Sequence, residues 1–166
     1  MNMAIAKWNL IRPSLLDRLT DDAPRTTCES ANFYNFSLSK MQALIQRDVS
    51  WLLNATQLAA TVELRSYPHV AASTLNYGVR ALAAVERLDA NDVGQEIAYG
   101  LQLFEPRLLP ESVNVTPLPD AKGNPFGFRI EAELWAQPVP LRIVMRTDLE
   151  AGCGIVSVVE TTSEVD

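Results

Sequence analysis

Apolar side chains recur every three or four residues through the first part of the chain, a period that is typical of amphipathic helices. The clearest stripe predicts a helix that ends near Asn54 and consists of Leu38, Met41, Ile45, Val49 and Leu52. Ser39 and Gln42 have the spacing of a capping box at its start. Trp51 lies in the same helix, and we expect it to belong to the core.

A second stripe predicts a helix that ends at a Glu-Pro-Arg tripeptide, since proline has no N–H to continue the helix. Either Asp89 or Asn91 can cap its start. Its apolar positions are Val93, Ile97, Leu101 and Phe104. Upstream of it, Ser73 is a candidate cap for a short helix through Tyr77, and Gly78 is expected at a tight bend.

After Pro110 the apolar period changes to two, which is typical of half-buried strands. Strands are predicted from Val113, from Phe126 to Leu134, from Leu141 to Met145 and from Ile155 to Val159. The connections are short and rich in turn residues, which favours antiparallel neighbours. We therefore predict an α+β fold in which N-terminal helices pack on one face of an antiparallel C-terminal sheet of about four strands.

The start of the chain predicts a separate segment. Leu15, Leu16 and Leu19 have helical spacing after Pro13, but so short a helix is not stable alone. It either packs back on the domain or docks on a partner. We expect residues 1–12 to be mobile and residues 21–35 to be a polar linker. The chain then divides into an N-terminal segment with a short docking helix, residues 1–35, and a single domain, residues 36–166.

Charge and composition narrow the class of protein. The formal net charge of -6 over 166 residues is uneven, because residues 89–166 carry thirteen acidic and five basic side chains. This acidity disfavours nucleic acid as a partner. It favours a protein that presents Lys or Arg, or it only keeps the domain soluble. No apolar run is long enough for a membrane span, no secretory signal is evident, and Cys28 and Cys153 are expected to be reduced thiols, which together favour a cytoplasmic protein.

The residues give little indication of catalysis. His69 is the only histidine, so neither a nucleophile–base pair nor a zinc site is evident. No Gly-rich loop is present to bind phosphate. Glu105 is a conceivable glycosidase acid, but Arg107 beside it would stabilise the charged form and oppose that role. We therefore predict no catalytic, cofactor-binding or metal site.

Four short segments carry a family resemblance. They are residues 13–19 (Pro-Ser-Leu-Leu-Asp-Arg-Leu), 47–54 (Arg-Asp-Val-Ser-Trp-Leu-Leu-Asn), 75–82 (Leu-Asn-Tyr-Gly-Val-Arg-Ala-Leu) and 104–108 (Phe-Glu-Pro-Arg-Leu). In this order and spacing the chain resembles the TssE family of type VI secretion systems, which is related to the sheath initiators of contractile-phage baseplates and to a lysozyme-related or gpW-like baseplate fold. It departs from the family where Arg80 and Ala81 replace a Pro-Asp pair and where Ser50 replaces a common Glu.

The resemblance implies a structural subunit of a cytoplasmic baseplate at the inner face of the cytoplasmic membrane. Its partners would be the wedge proteins TssF and TssG, with TssK nearby, and the sheath proteins TssB and TssC, whose polymerisation it would template. No nucleic acid and no membrane insertion are implied. An alternative from another class is a lysozyme-like cell-wall glycosidase.

Protein contacts are expected at four places in the chain. The charges of the Glu-Pro-Arg turn would form hydrogen bonds with a partner. The last strand is our preferred sheet edge for accepting a neighbour's strand. The predicted interaction residues are Leu15, Leu16, Leu19, Leu75, Asn76, Tyr77, Gly78, Glu105, Pro106, Arg107, Ile155, Val156 and Val158.

Overall fold

The structure is a computed structural model that describes residues 14–20, 24–25, 38–80, 89–118, 127–135, 140–149 and 155–161. Its elements confirm the predicted α+β class. The helices are α1 (Leu15–Leu19), α2 (Leu38–Asn54), α3 (Pro68–Ala71) and α4 (Ala90–Phe104), and the strands are β1 (Asn114–Leu118), β2 (Gly127–Leu134), β3 (Leu141–Leu149) and β4 (Val156–Glu160). The segment and linker predicted to be mobile or polar, residues 1–12 and 21–35, lie almost wholly outside the described residues.

The four strands form one antiparallel sheet in the order β1-β2-β3-β4, so β1 and β4 are its edges. Ile130 pairs with Val115 on one side and with Met145 on the other. Alternate side chains of β2 are buried, as the period of two predicts. They pack with apolar side chains of α2 and α4 in a single core, which places the helices on one face of the sheet.

The predicted stripe of α2 is confirmed, because Met41, Ile45, Val49 and Leu52 are buried. Two details of the prediction are wrong. Ser39 lies inside the first turn of the helix and is not its cap. Trp51 is 51% exposed, because it lies about 200° around the helix from Val49. The guanidinium of Arg47 covers its ring at 4.8 Å from the ring centre.

Asp89, one of the two predicted caps, is the N-cap of α4, and its carboxylate accepts a hydrogen bond from the Asn91 N–H at 2.7 Å. The stripe of α4 is confirmed, with Val93, Ile97 and Leu101 buried and Phe104 partly buried in the core. Within the described residues, no helix is long and apolar enough to cross a membrane.

Hydrogen bonds within residues 55–80, which follow α2, fix the shape of this segment. Ser73 caps a 3₁₀ turn at Thr74–Asn76, as predicted. Gly78 has a φ of 120°, and a Cβ at this position would lie 2.3 Å from the Ala55 carbonyl oxygen. Only glycine fits this close approach, which allows the Val79 N–H to bond to the same oxygen at 2.9 Å. The structure also contains helix α3, which the apolar pattern does not predict and which begins at Pro68.

Candidate protein-interaction site

The turn that follows α4 folds back on itself through its two charged side chains. Glu105 caps the helix, and its N–H bonds to the Leu101 carbonyl oxygen at 2.9 Å. Arg107 donates from Nε and Nη2 to the two Glu105 carboxylate oxygens, at 2.6 and 2.5 Å. The Arg107 backbone N–H also donates to the same carboxylate, at 3.2 Å. This two-pronged arrangement, which requires a planar guanidinium, gives the turn one defined shape.

Arg107 also joins the turn to two earlier helices. Its Nη2 donates to Asp48 Oδ2 of α2 at 2.5 Å, and its Nη1 lies 3.8 Å from Asp17 Oδ2 of α1. Arg47 donates to Asp17 Oδ1 and to Asp48 Oδ1, both at 2.8 Å. We call Asp17, Arg47, Asp48, Glu105 and Arg107 the carboxylate–arginine cluster. It holds α1, α2 and the end of α4 together.

The cluster carries three carboxylates and two guanidinium groups, so one negative charge is in excess. Burial alone would lower the pKa of Arg107, but the hydrogen bonds and charges of Glu105 and then Asp48 outweigh it and raise the pKa. Burial raises the pKa of Tyr77, and the charges of Asp48 and Glu105 add to this effect. Arg107 is therefore permanently charged, and its carboxylate partners keep it so.

The two charged side chains of the turn are largely buried. The side chains of Arg107 and Glu105 are only 12% and 5% exposed, and their bonding partners belong to the same chain. Within the described residues both charges are therefore already paired, as buried charges must be. One donor remains, since Arg107 Nη1 is buried with no hydrogen-bond acceptor within the described part of the chain. A contact between this turn and a partner stays a prediction.

Helix α1 packs back on the domain through Asp17. A reciprocal capping box with Ser14 starts the helix, with 2.7 Å between Ser14 Oγ and Asp17 Oδ2. Burial raises the pKa of Asp17, but its hydrogen bonds with Ser14 and Arg47 lower it further than that. The three leucines instead point outward and are 70%, 46% and 74% exposed, in the order Leu15, Leu16 and Leu19.

A groove with a volume of about 420 Å³ lies between α1, α2 and the turn. The groove brings together three of the four places at which the sequence predicts protein contacts, namely α1, the Tyr77 loop and the turn. The ring of Tyr77 packs edge-to-face on Phe104, with 5.3 Å between ring centres. The apolar part of the lining consists of Leu16, Val49, Trp51, Leu52, Tyr77, Phe104 and Pro106.

The other predicted residues lie elsewhere. Leu75 is 70% exposed, whereas Asn76 is buried and bonds through its side chain to the Ala59 N–H and the Ala71 carbonyl oxygen. Asn76 therefore shapes its own loop, as Gly78 does. In β4, Val156 and Val158 are buried in the core, and Ile155, just before the strand, is 54% exposed. β4 is an edge strand, as predicted.

Sequence reasoning missed the partners of Arg107. Asp17 follows Ser14 by three residues, which is a capping-box spacing that could have singled it out. Asp48 precedes a core position of α2 and is separated from Arg107 by 59 residues, so no local pattern connects the two. The same is true of Asn54 and Gln46, whose side-chain amides reach β4.

The geometry also opposes an enzymatic role for Glu105. A glycosidase acid must reach the glycosidic oxygen of its substrate, but the Glu105 side chain is only 5% exposed and its carboxylate is held by three hydrogen bonds from Arg107. Among the described residues, no group of His, Cys, Asp or Glu could hold a metal ion.

The chain matches a known protein family. Residues 39–139, more than half of its length, match the family described as baseplate wedge protein gp25, and the chain belongs to this family. The family is TssE-like and related to phage baseplate proteins, which confirms the resemblance seen in the sequence. A structural role in a baseplate, in contact with other baseplate proteins, follows from this membership. No curated protein and no solved structure matches the chain.

Arg107→Ala should lower the free energy of unfolding by about 3 kcal/mol, because Glu105 and Asp48 would be left without their buried partner. Urea denaturation at neutral pH measures this loss. Arg142→Ala is the matched control, since this exposed side chain pairs with Glu131 at the surface and should cost less than about 1 kcal/mol. Equal losses in the two variants would contradict an internal role for Arg107.

Asp17→Asn should remove part of the acid sensitivity of the domain. The folded state lowers the pKa of Asp17 below its ordinary value of 3.8. Its stabilising contribution is therefore complete above about pH 4 and is lost as the pH falls through the lowered pKa. The stability difference between wild type and variant, measured by urea denaturation, should shrink with acidification. Asp148→Asn, an exposed aspartate, is the control, and a pH-independent difference for Asp17→Asn would contradict the prediction.

Proposed function

We propose that this chain is a TssE-type subunit of a type VI secretion baseplate at the inner face of the cytoplasmic membrane. It joins the wedge with TssF and TssG, near TssK, and it is the template on which the TssB/TssC sheath begins to polymerise. Membership of the baseplate wedge family supports the baseplate role. The four sequence segments that resemble TssE support the type VI assignment.

The position of β4 at the edge of the sheet is the observation that carries the template role. An edge strand has N–H and C=O groups that another chain can pair with by adding a strand. Thr161, just past β4, donates its N–H inward to the Val144 carbonyl oxygen at 2.9 Å. Because bonding direction alternates along a strand, Val156, Val158 and Glu160 present their backbone groups outward.

The opposite edge is less suited to strand addition. β1 contains Pro117, which has no N–H to give to a neighbour. Helix α4 also lies close to β1, since a Cβ at Gly94 would be 3.4 Å from the Val115 carbonyl oxygen. A sheath strand would therefore add to β4.

The exposed side of α1 supports wedge binding. Leu15 and Leu19 are more than two-thirds exposed on a helix whose position is already fixed by Asp17. An apolar helix face beside a groove is a common means of docking a partner helix or segment. The wedge proteins TssF and TssG are the proposed partners of this face, and the groove beside it would receive their apolar anchor residues.

Leu15→Ser combined with Leu19→Ser should weaken wedge binding at least about tenfold, because exposed apolar anchors contribute most of the energy of such contacts. The melting temperature should stay within a few degrees of wild type, since neither side chain is in the core. Pull-down by purified TssF–TssG measures binding. Val62→Ser, an exposed apolar residue away from the groove, is the control. Unchanged binding by the double variant would place the wedge contact elsewhere.

Glu160→Pro should reduce sheath nucleation by about tenfold or more, because it removes an outward N–H and fixes the backbone at the open end of β4. Pairing with β3 should survive, since the bonds to β3 come from the intervening residues. Glu160→Ala, which keeps the N–H, is the matched control and should nucleate normally. The measurement is the lag time of TssB/TssC polymerisation on assembled baseplates. A folded Glu160→Pro protein with a normal lag would exclude β4 as the template.

A further inference from the structure

The outer edge of β4 is already bonded by a side chain of α2. Asn54 donates from Nδ2 to the Val156 carbonyl oxygen, and its Oδ1 accepts from the Val156 N–H, both at 2.9 Å. The side-chain amide therefore makes the same two bonds with Val156 that one residue of an added antiparallel strand would make through its own N–H and C=O. It stands in for one residue of a neighbouring strand.

A second amide continues this arrangement along the strand. Gln46, about two helical turns before Asn54, donates from Nε2 to the Val158 carbonyl oxygen at 2.6 Å. One turn further back, Gln42 donates to Glu160 at 2.6 Å, but this bond goes to the side-chain carboxylate and leaves the backbone alone. We call Asn54 and Gln46 the edge amides, since they alone of these three occupy backbone groups of β4.

Asn54 can leave β4 without losing all of its hydrogen bonds. Nδ2 of Asn54 also donates to the Ser50 carbonyl oxygen of its own helix at 2.7 Å. When Asn54 leaves β4, this donor therefore keeps an acceptor and only the carbonyl side of the amide loses its partner. Exchange of the amide for an incoming strand consequently replaces one set of hydrogen bonds by another, which carries a small net free-energy change.

We propose that Asn54 and Gln46 compete with an incoming sheath strand for the outer edge of β4, so that strand addition requires the displacement of these edge amides. The proposal rests on the proposed template function. The partner is an extended segment of a neighbouring sheath subunit, which enters at the Glu160 end and then replaces Gln46 and Asn54 in turn. In the free subunit, the same bonds protect an edge that would otherwise pair with other chains.

The test uses the full chain and a labelled synthetic peptide that copies residues 155–161 (Ile-Val-Ser-Val-Val-Glu-Thr) as a strand probe. The double variant Gln46→Ala/Asn54→Ala should bind this peptide about tenfold more tightly than wild type, as expected when three competing hydrogen bonds are removed. Gln42→Ala is the matched control and should bind like wild type. Fluorescence anisotropy measures the affinity, and amide hydrogen exchange at Val156 should accelerate in the double variant.

A folded double variant that binds the peptide no more tightly than wild type would overturn the proposal, and weaker binding would show that the amides hold β4 in a strand-accepting shape instead. If the double variant does not fold, Gln46→Ala alone should give about a threefold gain, and no gain would again overturn the proposal. Sheath nucleation by the wild-type chain is a separate measurement. If it fails while the peptide result holds, the template function is wrong and the competition at the edge is not.

Discussion

The buried guanidinium of Arg107 is the contact on which the arrangement of the helices rests. It binds Glu105 in its own turn and Asp48 in α2, and it lies beside Asp17 in α1. Separating any of these segments would leave a carboxylate or a guanidinium without its partner, which is costly for a buried charge. The turn is also bonded to β2, since the Trp135 N–H donates to the Arg107 carbonyl oxygen at 2.8 Å. The Arg107 side chain thus relates three helices, and its backbone carbonyl ties the turn to the end of β2.

The pairing of charges within the carboxylate–arginine cluster determines which side chains stay exposed for assembly. The carboxylate–arginine cluster fixes α1 by its polar side, so Leu15 and Leu19 are left facing outward. It also forms one wall of the groove whose other walls are apolar. The five charges of the cluster are thus committed to the shape of the subunit, whereas the exposed leucines of α1 and the outer edge of β4 remain as surfaces for neighbours. Such surfaces suit a structural subunit of a large assembly better than they suit catalysis.

The two edges of the sheet are protected in different ways. Strand addition to β1 is hindered because Pro117 has no N–H to donate and because α4 lies against the Val115 carbonyl group. β4 is covered by the side-chain amides of Asn54 and Gln46, whose hydrogen bonds can be exchanged. The first kind of protection is permanent, whereas the second is reversible. This asymmetry is consistent with a subunit that stays unpaired when free and accepts one strand in the assembled state.

Local sequence patterns predict the two long helices, the four strands, their order and most of their buried positions, because caps, apolar periods and turn residues act within a few neighbouring residues. The Asp89 cap, the stripe of α2 and the alternation in β2 are examples. The partners of the polar side chains, in contrast, depend on how the elements pack. Arg107 meets Asp48 across 59 residues and Asn54 meets β4 across 102, and these distances close only when the core forms. The direction of a charged or amide side chain is set by that packing, which no local pattern encodes.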